Sequence, residues 1–256
     1  MKQKPLRVYI GWDARDHAAY TVAVRSLLKH ASIPVEIIPL VDRDLRKKGA
    51  YWRAYSVDHR GQMWDAIDGK PFSTQFSFSR FAVPALEKFG DELVVFTDPD
   101  ILWRADIADL MKEIDPQKGI TVVKHDHRPR EREKIDGVLQ TTYERKNWSS
   151  VMVMKPSKCQ VWTPYAVNNW TGSALHALKG FADEEIGGLS PEWNWLEGYS
   201  NPGIDPKLVH YTRGTPDMDG YADSAFSSEW WRCYDDKKSV EFPLTKARER
   251  LVEAAE

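Results

Sequence analysis

Two aspartates, Asp98 and Asp100, with one residue between them, follow the apolar residues 93–96 and Thr97. A continuous apolar run of this kind predicts a strand that is buried on both faces. Pro99 lacks a backbone N–H, so we expect the strand to end near Thr97, with the carboxylates just past its carboxyl end, where open α/β sheets bind ligands. Two carboxylates this close repel each other unless a cation lies between them. A divalent metal that holds phosphate oxygens is therefore one interpretation, and an ordinary Asp-Pro-Asp turn is the other.

Three further residues could belong to the same site. Asp13 follows the first predicted strand, where its carboxylate either binds a ribose hydroxyl or base edge or simply begins the next helix. Arg80 is predicted on a helix, and a buried arginine needs an anion or a carboxylate as its partner. His210 ends the last predicted strand, so it is a candidate metal ligand if the fold returns it to the acidic pair and is otherwise structural.

Three segments allow either a ligand-binding or a purely structural interpretation. Residues 42–60 are basic and aromatic without a clear period, which predicts a loop or short helices over the site, and an acidic ligand would use such a face. The sequence His125-Asp126-His127 could bind a metal, but alternate residues of a strand face opposite ways, which favours an exposed loop. The run Asp183-Glu184-Glu185 is typical of a solvated helix start, or it places a carboxylate near a substrate hydroxyl.

Composition narrows the class of protein. The 256 residues include 36 Lys plus Arg and 38 Asp plus Glu, a net charge of −2. This bulk charge does not call for a nucleic-acid or membrane partner, so we expect no binding to nucleic acid and at most peripheral membrane contact. The two cysteines do not indicate a disulfide framework or a zinc cluster. No apolar run is long enough to span a bilayer and no apolar signal core is present, so we expect a cytoplasmic protein.

Strands and helices are predicted to alternate, beginning with a βαβ unit in which the strands at residues 6–10 and 35–40 pair in parallel around a helix at residues 16–30. The remaining predicted elements are helices at residues 77–88 and 105–114 and strands at residues 93–97, 120–123, 151–154 and 207–211. Residues 239–256 predict a final charged helix.

Taken in order, these segments resemble a bacterial nucleotide-sugar glycosyltransferase of the GT-A type, close to glycosyltransferase family 8, over roughly residues 7–216. The matching motifs are the turn at Asp13, Ser79-Arg80-Phe81 with Pro84, Asp98-Pro99-Asp100, Asn147-Trp148-Ser149-Ser150-Val151, Asp183-Glu184-Glu185 and His210-Tyr211-Thr212-Arg213-Gly214. The resemblance implies an α/β GT-A fold with a mostly parallel central sheet flanked by helices. It also implies a single domain over residues 1–256, with a helical tail at about 217–256.

The resemblance assigns roles to individual residues. The implied ligands of a Mn²⁺ (or Mg²⁺) ion are Asp98, Asp100 and His210. The implied donor-binding residues are Asp13, Arg80, Asp98, Asn147, Arg213 and Gly214, and the implied catalytic carboxylates are Asp183 and Glu185. Thr215-Pro216-Asp217 stands where the family has Lys-Pro-Trp, so we expect Arg213 to take the place of the missing lysine.

The implied reaction is metal-dependent transfer of a sugar from a nucleoside-diphosphate sugar, with a UDP-sugar expected, to a hydroxyl of a carbohydrate or other acceptor, with retention at the anomeric carbon. A nucleotidyltransferase would instead hold two metals and activate a phosphate. A non-catalytic sugar- or nucleotide-binding protein of the same fold would bind without turnover. A phosphatase with an aspartate nucleophile is disfavoured, because its Asp-x-Asp motif would be expected on the first strand.

Overall fold

The computed structural model describes residues 4–126 and 145–235. The strands are β1 (Leu6–Trp12), β2 (Val35–Val41), β3 (Tyr55–Val57), β4 (Met63–Asp65), β5 (Pro71–Phe72), β6 (Val94–Thr97), β7 (Ile101–Trp103), β8 (Ile120–Val122), β9 (Val151–Met154), β10 (Ile186–Gly188), β11 (Trp195–Leu196) and β12 (Leu208–His210). The α-helices are α1 (His17–His30), α2 (Asp42–Lys47), α3 (Val83–Leu86), α4 (Ile107–Lys112), α5 (Pro164–Asn169), α6 (Gly172–His176) and α7 (Ser227–Asp235).

A six-stranded sheet in the order β10–β8–β9–β6–β1–β2 forms the centre of the fold. β1 pairs in parallel with β2 and β6, and β8 pairs in parallel with β10. β9 runs antiparallel to both of its neighbours. The predicted α/β class with a mostly parallel central sheet is confirmed, as are the opening βαβ unit and the end of β6 at Thr97.

Both faces of the sheet are buried, which explains the continuous apolar runs. On one face, Val8 and Val95 pack in a cluster with Leu27 of α1. On the other face, Phe96 and Met152 belong to a second cluster of buried residues. Because side chains of a strand alternate between faces, an element covered on both sides needs apolar residues at every position.

A small second sheet, in the order β11–β12–β7, positions the end of β12. The sequence patterns did not predict β7, which starts immediately after the turn at Asp98-Pro99-Asp100. β7 pairs antiparallel with β12, and the register places His210 opposite Ile101. The backbone N–H of Tyr211 also donates to the carbonyl of Asp100 at 2.9 Å. This pairing therefore returns the end of β12 to the acidic turn.

The basic segment at residues 42–60 forms α2 and β3, and β3 belongs to a third sheet in the order β3–β4–β5. The predicted short helix is present, but the strand was missed. The most buried cation of this segment, Arg53, does not face an acidic ligand, since it forms an ion pair with Asp65 inside the protein.

Two predicted helices differ from those observed. Residues 77–88 do not form one helix: a 3-10 turn at Ser79–Ala82 leads into the short α3, because Pro84 is tolerated only in a first helical turn. In the tail, residues 217–226 form turns, and helix begins only with α7, which packs against α1. The remainder of the predicted tail and His127 lie outside the described residues. Within residues 4–126 and 145–235, no helix has the length and apolar character needed to cross a bilayer.

Candidate active site

The acidic turn and the end of β12 bring three possible metal ligands together. Asp98, Asp100 and His210 each offer one ligand atom, and these atoms all lie within 4.8 Å of one another. Nε2 of His210 is 3.4 Å from Oδ1 of Asp100. The backbone N–H of Asp98 donates to the carbonyl of Ser150 at 2.8 Å, which ties the turn to the start of β9. The fold therefore returns His210 to the acidic pair, which makes it a candidate metal ligand.

Arg80 is the charged partner of this cluster. Its side chain is buried, and its NH1 atom lies 2.8 Å from Oδ1 of Asp98 and donates to the carbonyl of Ser149 at 2.9 Å. The expectation that a buried Arg80 needs a carboxylate partner is thus met by Asp98. Burial raises the pKa of Asp98 above its ordinary value; Arg80 opposes this shift and Asp100 adds to it.

The donor set fits a hard divalent cation. Asp98, which is paired with Arg80, and Asp100 each supply a carboxylate oxygen, and the third ligand atom is an imidazole nitrogen of His210. Oxygen-rich ligation with one imidazole suits Mn²⁺ or Mg²⁺. Asp98, Asp100 and His210 could therefore hold such an ion.

A cavity of about 730 Å³ opens over the cluster, and Arg80, the two aspartates and His210 lie in its wall. This volume falls in the range of about 300–1,000 Å³ that is typical of sites for small molecules. Cationic side chains of Arg15, Lys146 and Arg213 also line the cavity. The wall thus offers cations that could meet the negative charge of a ligand, next to aspartates that could hold a metal ion or bind hydroxyl groups.

Asp13 does not line the cavity. Its carboxylate caps the 3-10 turn at Ala14–Asp16 and accepts bonds from Nε and NH2 of Arg15 at 3.0 and 2.8 Å and from the backbone N–H of Gln75 at 3.2 Å. Burial raises the pKa of Asp13, but these donors outweigh it and leave the pKa below the ordinary value. The structural alternative, a residue that begins the next helix, describes Asp13 well, and Arg15 rather than Asp13 reaches the cavity.

Asn147, Arg213 and Gly214, by contrast, do line the cavity. Asn147 adopts a left-handed backbone conformation with φ of 63°, which Asn tolerates better than most residues. The Arg213 guanidinium lies 5.8 Å from the centre of the Tyr221 ring. A Cβ on Gly214 would come within 2.6 Å of the same ring, so only glycine allows this chain to pass beside Tyr221.

The two predicted catalytic carboxylates lie elsewhere. Asp183 and Glu185 belong to an exposed 3-10 turn before β10 and are absent from the cavity lining. Asp183 forms an ion pair with Arg145 at 2.5 Å, and Glu185 accepts the backbone N–H of Ala182 at 2.8 Å. Neither carboxylate lines the cavity over the metal cluster, and a catalytic role for either one stays a prediction.

Several residues of the cavity wall were missed by the sequence patterns. Arg15 and Lys146 stand next to residues that were selected, so a wider window around those motifs would have found them. Buried His176 also lines the cavity and is paired with Ser149 through Nδ1 and Oγ at 2.9 Å. Tyr199 lines it as well and carried no sequence signal, since an isolated tyrosine is usually part of the core.

Comparison with solved structures defines the class of fold. The structure resembles the bifunctional glycosyltransferase WbbM with a TM-score of 0.52 and 15% identity, covering 90% of this chain and 52% of that chain, so this chain spans about half of WbbM. It resembles the galactosyltransferase LgtC, solved with donor and acceptor sugar analogs, with a TM-score of 0.54 and 10% identity, covering 92% of this chain and 97% of LgtC. The fold is the GT-A glycosyltransferase fold.

A curated relative defines the family. The chain is 42% identical over 236 residues to protein CDI of Arabidopsis thaliana, an alignment that covers 90% of this chain and 86% of CDI. The chain belongs to the same family as this plant protein. The bacterial origin and the assignment to glycosyltransferase family 8 implied by the motifs are not confirmed by it. No protein-family profile matches the chain.

Proposed function

We propose that this protein is a metal-dependent glycosyltransferase that moves a sugar from a nucleoside-diphosphate sugar to a hydroxyl of a carbohydrate or other acceptor. One observation carries the proposal: in a GT-A fold, Asp98, Asp100 and His210 converge within 4.8 Å at the wall of a cavity large enough for a nucleotide sugar. A sugar-binding protein that acts without metal would have no use for this cluster or for the buried Arg80 beside it.

Different residues around the cavity would bind the metal ion and the diphosphate of the donor. Asp98, Asp100 and His210 would hold Mn²⁺ or Mg²⁺, which when bound neutralises the charge of a departing nucleoside diphosphate. Arg80 favours the ionised form of Asp98 and holds the carboxylate in place through the pair at 2.8 Å. Arg213, whose contact with the Tyr221 ring leaves its N–H groups available among the described residues, would contact the diphosphate in place of the family's lysine.

The remaining parts of the proposal concern the substrates. Arg15 and Lys146 add positive charge to the cavity, which suits a UDP-sugar or another diphosphate donor. The Asn147 amide, at the cavity wall, would orient donor hydroxyl groups. Retention at the anomeric carbon remains implied by the resemblance. Besides the predicted Asp183 and Glu185, the carboxylates to test near that carbon are Asp16, Asp68, Asp217 and Asp219, which line the cavity.

A thermal-shift panel tests the donor. UDP-, GDP- and CDP-sugars would be added with and without Mn²⁺, and a ligand that binds only the native state raises the unfolding midpoint. We expect one donor series to raise it, and only in the presence of metal. A midpoint shift by free sugar alone would support the sugar-binding alternative. Release of pyrophosphate rather than a nucleoside diphosphate during turnover would support a nucleotidyltransferase.

Calorimetry with Asp100→Ala tests the metal site. We expect the variant to lose Mn²⁺-dependent donor binding. Asp109→Ala is a matched control, because Asp109 is an exposed aspartate outside the cavity that pairs only with Lys112 among its described neighbours. Unchanged metal-dependent binding by Asp100→Ala would remove the role assigned to that residue.

A further inference from the structure

Asn194 is a fully buried polar residue that none of the sequence motifs included. It ends the 3-10 turn Pro191–Asn194, directly before β11. Its Oδ1 lies 2.9 Å from Nδ1 of His210. Its Nδ2 lies 2.9 Å from Oγ of Ser150 and 3.2 Å from the backbone carbonyl of Asn147. One amide therefore joins the histidine of the metal cluster to the segment before β9.

The neighbours of Asn194 determine which way its amide faces. A backbone carbonyl can only accept, so the group facing the Asn147 carbonyl must be the NH2 of Asn194. The Ser150 hydroxyl donates its own proton to that same carbonyl at 2.7 Å and is then free to accept from Nδ2. The amide oxygen must consequently face His210.

This orientation sets the proton position on the imidazole. Because the Asn194 oxygen can only accept, Nδ1 of His210 carries the hydrogen, and in a neutral ring the lone pair is on Nε2. Nε2 faces Oδ1 of Asp100 at 3.4 Å. Two electron-rich atoms that face each other at this distance are stabilised by a cation bound to both.

We propose that Asn194 is a positioning residue that holds His210 in the Nδ1–H form with Nε2 directed at the metal site. This inference rests on the proposed function and deepens it. Ser150 extends the link, since its carbonyl accepts the backbone N–H of Asp98 at 2.8 Å. The buried hydrogen bonds of Asn194 and Ser150 thus connect the imidazole to the acidic turn. The ligand atoms are therefore held in position before a metal binds. Partners of this kind that orient a ligand typically contribute about 10- to 100-fold to metal affinity.

Three full-length variants test the inference. Asn194→Leu removes all three hydrogen bonds. Asn194→Asp keeps an acceptor for the Nδ1 hydrogen. Asn168→Leu is the matched control: Asn168 is also buried and bonds Trp52 N–H and the Pro164 carbonyl, but it does not line the cavity. Its unfolding midpoint shows how much a lost buried amide destabilises the protein without involving His210.

The first measurement needs no metal. Nitrogen-15 NMR of the His210 ring at mildly alkaline pH reports which nitrogen carries the hydrogen. We expect the Nδ1–H form in the parent protein, in Asn168→Leu and in Asn194→Asp, and a mixture of both forms in Asn194→Leu. An Nε2–H form in the parent, or an unchanged spectrum in Asn194→Leu, would overturn the inference.

The second measurement is Mn²⁺ affinity by calorimetry at a temperature where all variants are folded. We expect Asn194→Leu to bind Mn²⁺ about 10- to 100-fold more weakly than the parent, and Asn168→Leu to bind as the parent does. An equal loss in both variants would mean that Asn194 acts only through stability, which contradicts the inference. If Asp100→Ala binds Mn²⁺ as tightly as the parent, the role of Asp100 in the proposed function fails, and the metal-free NMR result still decides the role of Asn194.

Discussion

The buried ion pair between Arg53 and Asp65 allows a sharp test of whether the basic segment supports the fold or binds a ligand. Both side chains are only 1% exposed, and Nε and NH2 of Arg53 bond the two carboxylate oxygens at 2.8 and 2.5 Å. NH1 donates to the carbonyls of Val167 and Trp170 at 3.0 and 2.7 Å. The guanidinium also lies 4.3 Å from the centre of the Phe78 ring. The pair thus joins the third sheet to α5.

Removing one partner is expected to leave an unpaired buried charge. Losses of this kind typically lower the free energy of unfolding by about 3–5 kcal/mol. Each kcal/mol shifts the midpoint of a protein of this size by about 2–4 °C, so Arg53→Met should unfold about 6–20 °C below the parent. The double variant Arg53→Met/Asp65→Leu removes both charges. It should recover the part of the loss that comes from the unpaired Asp65 carboxylate. The carbonyls of Val167 and Trp170 lack the Arg53 donor in the single and the double variant alike, so their cost cancels when the two variants are compared.

Urea unfolding followed by tryptophan fluorescence gives the free energies, and calorimetry below the unfolding midpoint gives metal-dependent donor binding. We expect the double variant to bind the donor as the parent does, because neither residue lines the cavity. The reasoning is refuted if the double variant is as unstable as the single one. Donor binding that disappears from the folded double variant would restore the ligand-binding interpretation of this segment.

Three further predictions concern single sites. Gly214→Ala should lower the free energy of unfolding by about 1–3 kcal/mol in urea, since its Cβ would lie 2.6 Å from the Tyr221 ring; an unchanged value would mean that the ring can move. Burial, followed by the charge of Arg80, holds the pKa of His176 well below its usual value, so the native state binds fewer protons than the unfolded state. Stability should then fall as the pH drops below about 6.5, with a smaller slope in His176→Gln; parallel plots of midpoint against pH would contradict this. Burial raises the pKa of Cys159 to about 12, so a maleimide should label this thiol only after unfolding, and mass spectrometry that finds it labelled in the native protein would disprove this.

Local sequence patterns were sufficient for the elements that depend on burial alone. The apolar run of β6 and the proline that follows it predicted a buried strand and its end, since a strand covered on both faces has few other solutions. The helical period of α1 between two apolar strands predicted a parallel βαβ unit, because such crossovers are almost always right-handed and local. The position of the acidic pair at the end of this strand followed from the same reasoning, because Asp98 and Asp100 come just after the predicted strand in the sequence.

The contacts between distant segments were decided by tertiary structure. β7 has only three residues, too few to show a period, yet its pairing with β12 is what returns His210 to the acidic turn. Asp13 and Asp183 are typical site residues by type, but neighbouring arginines bind both carboxylates, and a sequence does not show which charges meet. Asn194 carried no signal at all, because a buried amide acquires its role only from the groups that surround it. The sequence by itself determined the sheet and the acidic turn through burial and local chain geometry, whereas the assembly of the site required the pairing of strands far apart in the chain.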